Sequence, residues 1–235
     1  VPRVATPWVH VALTQLSASQ SHVSGGTPPP APASVRFTRR MTDSHGRTIR
    51  DLRISITDRC NFRCVYCMEP DVRFAPRESL LTTDEIIRVA RIANSLGVRK
   101  IRLTGGEPLV RKGILELVSM LGAIPGLETL AMTTNGLLLA PLATELRDRG
   151  LDSVNVSLDA LDPGRYAELT RGGRLADALA GIEAARAANL PVKLNVVALP
   201  DSTEAEFEAL RAYAARIGAK IQFIAEYRLD EEKQD

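Results

Sequence analysis

The sequence predicts an α/β fold: a partial (βα)6 TIM-like barrel with parallel strands inside and helices outside. From residue 50 onward, short β-prone segments alternate with longer helical ones, a pattern typical of a parallel sheet. Capping residues mark the starts of several helices, and glycines mark their ends. Within each strand the apolar residues fall at alternate positions, which predicts one face packed under helices.

Length and composition bound the class of protein. The chain has 235 residues, 45% hydrophobic and 25% charged, enough for one buried core. A formal net charge of +2 gives no reason to expect nucleic acid or an anionic membrane as partner. No apolar run approaches the ~18 residues of a membrane span. Three cysteines confined to one loop fit a reducing compartment, so we expect the cytoplasm.

Three segments differ in composition. Residues 1–40 contain no Asp or Glu and include a run rich in glycine and proline at 24–34, so we expect a disordered leader. Residues 41–228 form the predicted core domain. Residues 229–235 are a charged C-terminal end.

The predicted elements follow in order. The strands are 51–57, 99–104, 128–134, 152–158, 191–197 and 220–226. The helices are 83–96, 111–122, 140–149, 163–170 with 174–188, and 204–217. Capping residues open three helices: Thr82 with Glu85, Thr203 with Glu206, and Asp162 before Pro163. Glycines stop three helices: Gly97, Gly150 and Gly218.

The strand positions that alternate with the apolar set are largely polar. They include Arg53, Arg102 and Lys193. Because helices cover the apolar faces, we expect the polar faces to line the barrel interior, where buried cations need anions as partners. This predicts a cavity for something large and negatively charged. The alternative is an open, aqueous face with solvated charges.

All three cysteines lie in one stretch, Cys60, Cys64 and Cys67, with the spacing C-x3-C-x2-C. The odd number excludes complete internal disulfide pairing, and the spacing differs from that of four-ligand zinc sites. Three thiolates on a four-iron cluster leave one iron open for chemistry. A structural metal knuckle is the alternative.

The run from Arg53 to Met68, with Tyr66 just before the last cysteine, resembles the radical S-adenosylmethionine (SAM) enzymes, and most closely the GTP 3′,8-cyclases of molybdenum cofactor biosynthesis. The resemblance implies one [4Fe–4S] cluster on Cys60, Cys64 and Cys67, with SAM chelated at the open iron. Reductive cleavage of SAM to a 5′-deoxyadenosyl radical would then convert GTP to (8S)-3′,8-cyclo-7,8-dihydroguanosine 5′-triphosphate. This would make the chain a radical SAM lyase.

The resemblance also assigns the remaining site residues. Those expected at SAM are Tyr66, Gly105, Gly106, Glu107 and Ser157. Those expected at GTP are Arg53, Arg102, Thr133 and Lys193. No further catalytic residue is assigned beyond the cluster ligands. A core tyrosine and a backbone-capping serine are the alternatives for Tyr66 and Ser157.

The chain departs from the family pattern at its C-terminal end. The family continues into a segment whose three further cysteines hold a second cluster, whereas no cysteine follows Cys67 here, and Arg228 stands where a methionine is expected. Two alternatives therefore stay open: a radical SAM enzyme with another anionic substrate, and a truncated, non-catalytic fragment that only binds cluster or SAM. The expected partners are an electron donor such as flavodoxin or ferredoxin, the next enzyme of the molybdopterin pathway, and a second copy in a homodimer.

Overall fold

The computed structural model describes residues 42–225. The predicted leader at 1–40, the C-terminal end at 229–235 and Arg228 lie outside these residues. The boundaries of the three predicted segments therefore stay predictions.

Six parallel strands form one sheet in sequential order, as expected for repeated βα units. They are β1 (Asp51–Ser55), β2 (Lys100–Thr104), β3 (Thr129–Thr134), β4 (Ser153–Ser157), β5 (Val192–Ala198) and β6 (Lys220–Ala225). Within the described residues β1 pairs only with β2 and β6 only with β5, so the barrel is open between its first and last strands. This confirms the predicted partial barrel.

Helices occupy the crossovers between the strands. They are α1 (Thr83–Ser95), α2 (Ile114–Gly122), α3 (Ala143–Asp148), α4 (Pro163–Thr170), α5 (Leu175–Ala187) and α6 (Glu204–Arg216), with short 3-10 turns at Arg77–Ser79 and Pro108–Val110.

Two of the predicted helix starts, 111 and 140, were wrong by three residues. Gly113, in the left-handed region at φ 74°, precedes α2, so the helix cannot extend back through it. Before α3, successive turns run from Gly136 to Leu142 instead.

The predicted start and stop signals are confirmed. The Thr82 hydroxyl accepts a hydrogen bond from the Glu85 N–H at 3.3 Å, and the Thr203 hydroxyl does the same with Glu206 at 3.3 Å. The Asp162 carboxylate accepts from the Arg165 N–H at 2.7 Å. The three stop glycines, Gly97, Gly150 and Gly218, all have positive φ.

The alternation of apolar residues is confirmed by burial. On β2 to β5 eight residues of the apolar set lie under the helices and are at most 1% exposed: Ile101, Leu103, Leu130, Met132, Val154, Val156, Leu194 and Val196. Val192, which begins β5 in the same alternation, is only partly buried. The opposite set therefore faces the concave side of the sheet. No helix in the described part of the chain combines the length and the apolarity that crossing a membrane requires.

Candidate active site

The cysteine loop follows β1 at the carboxyl ends of the strands, where sites in α/β folds lie. It is pinned from outside, because the Val65 N–H donates to the Leu169 carbonyl at 2.9 Å and the Arg63 N–H to the Thr170 carbonyl at 3.3 Å. Inside the loop, the Cys67 N–H donates to the Cys64 carbonyl at 3.0 Å. The loop is therefore fixed by its own backbone and by the end of α4.

All three thiols are free and partly accessible. Burial raises the pKa of Cys60 and Cys67, and raises the pKa of Cys64 to about 12. The neighbouring thiols add to this effect at Cys60 and Cys64. Three thiolates in this loop thus need positive charge to stabilise them, which bound iron supplies.

The donor set fits a cluster better than a single ion. In residues 42–225, no three Cys, His, Asp or Glu side chains are grouped to hold one metal ion. Each cysteine of a cubane binds a different iron, so the thiols need not converge on one point. Cys60, Cys64 and Cys67 are the residues that would hold such a cluster.

A second loop, Thr104 to Pro108 at the end of β2, packs directly on the backbone of the segment before the cysteines. The Gly106 N–H donates to the Thr57 carbonyl at 2.8 Å, and the Glu107 N–H donates to the Arg59 carbonyl at 2.7 Å. A Cβ on Gly106 would stand 2.3 Å from the Arg59 carbonyl oxygen. The glycine pair therefore admits the backbone of the neighbouring segment, and the contact of Gly105 and Gly106 with SAM stays a prediction.

Glu107 is only 1% exposed, and its carboxylate holds the loop after β3. One oxygen accepts from Leu109 N–H at 3.0 Å and from Thr134 Oγ1 at 2.7 Å, and the other accepts from Asn135 N–H at 2.7 Å. Burial raises its pKa and these hydrogen bonds oppose the rise. An ionised carboxylate has about four acceptor sites, so three hydrogen bonds leave one of them unused.

Asn135 extends this network to the cysteine loop. Its side-chain nitrogen donates to the Asn61 side-chain oxygen at 2.8 Å. Three loops at the carboxyl ends of β1, β2 and β3 are thus joined by hydrogen bonds. Of the connecting side chains, only Glu107 was predicted as a site residue. The position of Thr134 and Asn135 directly after β3 was the available signal.

The predicted SAM residues Tyr66 and Ser157 lie at the same end of the sheet. Tyr66 stands between Cys64 and Cys67 in the chain, and its hydroxyl donates to the Asp159 carboxylate at 2.5 Å. Ser157 ends β4 and faces the concave side, opposite Asn195 of β5. Asp159 was not predicted, although it lies just beyond Ser157.

The predicted substrate residues Arg53, Arg102 and Lys193 all lie on the concave face. Arg53 is the register partner of Arg102. Burial lowers the pKa of Arg102, and the nearby Arg53 lowers it further. Arg102 Nη1 is buried and has no hydrogen-bond partner.

Lys193 belongs to the same group of charges. Burial lowers its pKa, and four neighbouring cations lower it further: Arg102, Lys100, Arg53 and Lys220. Lys100 and Lys220 were missing from the predicted set. Each is the first residue of its strand and occupies a position that alternates with the apolar residues of that strand. We call Arg53, Lys100, Arg102, Lys193 and Lys220 the concave cations.

The fourth predicted substrate residue, Thr133, is near these cations. It pairs in register with Asn155, and Asn155 pairs with Lys193. The structure therefore brings the predicted SAM residues and the predicted substrate residues to one face of one sheet, the former nearer the carboxyl ends.

A separate cleft of about 530 Å³ opens at the amino ends of β1 to β3. It is lined by Thr48, Ile49, Arg50, Asp51, Arg99, Lys100, Glu128 and Thr129. Its Arg50 is paired with Glu128 at 3.1 Å. This cleft lies at the opposite end from the cysteines, and it shares only Lys100 with the concave cations of the candidate site.

The chain matches one protein superfamily and several named relatives. The profile of the radical SAM superfamily matches residues 54–214. GTP 3′,8-cyclase 1 of Pseudomonas aeruginosa is 52% identical over 188 residues, which are 80% of this chain and 57% of that protein. The GTP 3′,8-cyclase of Pelotomaculum thermopropionicum is 52% identical over 186 residues, 78% of this chain and 57% of that protein. The chain spans less than two thirds of the length of these relatives.

Solved structures share the fold at low sequence identity. SuiB of Streptococcus suis, bound to S-adenosylmethionine, superposes with a TM-score of 0.67 at 17% identity, covering 77% of this chain and 41% of that one. Methylornithine synthase superposes with a TM-score of 0.64 at 16% identity, covering 82% and 56%. These likenesses show the fold alone.

Proposed function

The chain belongs to the radical SAM superfamily, and we propose that it acts as a GTP 3′,8-cyclase in molybdenum cofactor biosynthesis, a radical SAM lyase. The superfamily implies a [4Fe–4S] cluster and SAM as cofactors. When bound, they supply a one-electron reductant and a carbon radical that removes hydrogen from the substrate. The relatives named GTP 3′,8-cyclase, 52% identical to this chain, support GTP as that substrate.

One observation in the structure is the main support for a polyanionic substrate. Arg102 Nη1 is buried without a partner, and the nearby cation Arg53 lowers the pKa of Arg102 while Asp51 opposes that effect. A buried guanidinium nitrogen without an acceptor is costly, repulsion from a like charge adds to that cost, and a bound anion reduces both. Arginine also matches the geometry of phosphate oxygens. A triphosphate is therefore the ligand that this face fits best.

The register of the strands supports this arrangement. Lys193 is the partner of Asn155, and Asn195 is the partner of Ser157, so Lys193 lies one inward-facing position, roughly 7 Å, below Ser157. A triphosphate held by Arg53, Arg102 and Lys193 would place its ribose toward the cysteine end. Fixing the substrate in this way lowers the entropic cost of the reaction.

The proposed roles of the remaining residues follow from their positions. Cys60, Cys64 and Cys67 would hold the cluster, and Thr133 would contact the nucleotide. Tyr66, Gly105, Gly106, Glu107 and Ser157 would contact SAM. The free acceptor site on Glu107 is suited to the SAM ammonium group.

The partners belong to the same proposal. A flavodoxin or ferredoxin would donate the electron, and the next enzyme of the molybdopterin pathway would take the product. We place the protein in the cytoplasm, since its three free thiols fit a reducing compartment. A homodimer is compatible with this function.

The test is 5′-deoxyadenosine production by the anaerobically reconstituted, reduced protein with GTP, with GMP and without nucleotide. We expect GTP to stimulate SAM cleavage strongly and GMP to do so much less, because GMP lacks two phosphates that the concave cations would hold. Cleavage indifferent to any nucleotide would remove GTP as the substrate.

The same measurement separates the alternatives. Stimulation by another polyanion, with none by GTP, would favour a radical SAM enzyme with a different anionic substrate. No cleavage at all, despite a full complement of iron, would favour the non-catalytic fragment.

A further inference from the structure

The hydroxyl of Tyr66 is bound by a carboxylate from a distant part of the chain. Tyr66 donates to Asp159 Oδ2 at 2.5 Å across a sequence separation of 93 residues. Asp159 lies just beyond Ser157, the last residue of β4. A side chain of the cysteine loop is thus attached to the carboxyl end of the fourth strand.

The same carboxylate is itself held in place. Its other oxygen, Oδ1, accepts from the Val197 N–H of β5 at 2.7 Å. Both oxygens are therefore engaged, one by the loop and one by the backbone of a neighbouring strand. An acceptor fixed at a strand backbone cannot rotate to follow the tyrosine, so it defines where the tyrosine hydroxyl must lie.

We infer that Asp159 is a positioning residue, which fixes the ring of Tyr66 and with it the stretch between Cys64 and Cys67. A hydrogen bond to a charged acceptor in a partly buried place is strong enough to hold a loop conformation. Tyr66 is a predicted SAM contact, so its orientation would set how SAM meets the cluster. The inference rests on the cofactors of the superfamily, and it is independent of GTP as substrate.

A second tyrosine beside the same carboxylate provides a matched control. Tyr166 is 1% exposed and its hydroxyl has no hydrogen-bond partner; burial raises its pKa, and the nearby Asp159 raises it further. Replacing Tyr166 by Phe removes a hydroxyl from the same surroundings without breaking a bond. Replacing Tyr66 by Phe removes the hydroxyl that is hydrogen-bonded to Asp159.

The experiment compares the full chain with Asp159→Ala, Tyr66→Phe, Tyr166→Phe and the double variant of Asp159→Ala with Tyr66→Phe. Iron content is measured after anaerobic reconstitution. The Kd for SAM is measured on the unreduced protein, where no turnover occurs. The electron paramagnetic resonance spectrum of the reduced cluster is recorded with and without SAM.

We expect Asp159→Ala and Tyr66→Phe each to weaken SAM binding roughly tenfold, and each to alter the change that SAM causes in the spectrum. The double variant should be no more than about twofold weaker than the weaker of the two single variants, because both changes break the same Tyr66–Asp159 bond and Asp159→Ala additionally removes only the acceptor of Val197 N–H. Tyr166→Phe should match the unmodified chain.

Three results would overturn the inference. One is a Kd for SAM in Tyr66→Phe within about twofold of the unmodified chain. Another is a loss of SAM affinity in the double variant that equals the product of the losses in the two single variants. The third is a loss of SAM affinity in Tyr166→Phe that is as large as the loss in Tyr66→Phe. If Asp159→Ala fails to take up iron, Tyr66→Phe decides alone, since it keeps the ring and the carboxylate. A failure of GTP turnover would leave these readouts unaffected.

Discussion

The two halves of the candidate site are stabilised in opposite ways. At the cysteine end, two buried carboxylates find donors inside the chain: Glu107 accepts three hydrogen bonds, and Asp159 accepts two. On the concave face below it, Arg102 has a buried nitrogen without a partner, and Lys193, which donates to Gln222, has four cations among its neighbours. The carboxylates of the first half are paired within the chain, whereas the cations of the second half leave positive charge for an anion to balance.

This difference matches what each half has to bind. A cluster stays bound through many turnovers, and its reactivity toward SAM depends on geometry, so a rigid frame is useful. A substrate must enter and leave. The repulsion among the concave cations is present only in the free protein, and relieving it adds to the affinity for a polyanion.

The largest expected effect is at the rigid half, with Gly106→Ala. The new Cβ would stand 2.3 Å from the Arg59 oxygen and 2.6 Å from the Asp58 oxygen, both backbone atoms that cannot swing aside. We expect the loop before the cysteines to be displaced, the free energy of unfolding to fall by about 3 kcal/mol, and most of the iron uptake to be lost. Chemical denaturation and iron analysis after reconstitution measure both.

Gly164→Ala is the matched control for that change. Its Cβ would approach only the Asp162 side chain, at 3.2 Å, in the first turn of α4. We expect a change in unfolding free energy below about 1 kcal/mol and normal iron uptake. Full iron uptake by Gly106→Ala would show that the close packing at Arg59 is not needed for the cluster site.

The same two halves differ in how far the sequence predicts them. The alternation of polar and apolar residues can be read from a few neighbouring positions, because successive residues of a strand face opposite sides of the sheet. The sequence therefore places Arg53, Arg102 and Lys193 on the face opposite the apolar residues, and the repeated βα pattern makes that face the inner one. The C-x3-C-x2-C spacing is local as well, and it locates the metal ligands.

The frame around the cysteines depends on contacts that no local pattern carries. Glu107 meets Asn135 across 28 residues, and Tyr66 meets Asp159 across 93. A buried carboxylate and a ligand-binding carboxylate have the same appearance in a sequence. The starts of α2 and α3 could not be predicted for a related reason: turn conformations at Gly113 and Gly136 override the helical pattern there.

An intermediate effect is expected at the cationic half, with Arg102→Gln. This change removes one charge and keeps most of the side-chain volume. Since Arg102 is an unpaired cation in the free protein, we expect the midpoint of thermal unfolding to stay the same or rise. The Kd for GTP should increase roughly ten- to a hundredfold, the usual range for a charged hydrogen-bonding group.

Calorimetry with GTP and a thermal melt test both parts of this prediction. Arg186→Gln is the control, because Arg186 is exposed on α5, where it pairs with Glu183 at 3.1 Å. It should leave the Kd unchanged. If Arg102→Gln destabilises the protein and binds GTP normally, Arg102 is a structural residue and the contrast between the two halves disappears.

The smallest expected effect is a pH dependence at Lys193. Burial and then the cations Arg102, Lys100, Arg53 and Lys220 lower its pKa below 10.5. As pH rises through the lowered pKa, Lys193 loses its charge, so the affinity for inorganic triphosphate should fall severalfold at a lower pH than for an ordinary lysine. Triphosphate is the better probe, since guanine itself titrates in alkaline solution.

Stability should move in the other direction. Between the lowered pKa and 10.5 the unfolded chain binds more protons at this residue than the folded one, so this residue's contribution to the unfolding free energy rises with pH. Lys193→Arg, which stays charged, should lose both trends and keep its triphosphate affinity in alkaline solution. An unchanged pH profile in Lys193→Arg would mean that Lys193 does not face the bound phosphates. Because a rigid, internally paired site would show neither trend, opposite slopes for affinity and stability would be the direct signature of a face that is completed by its ligand.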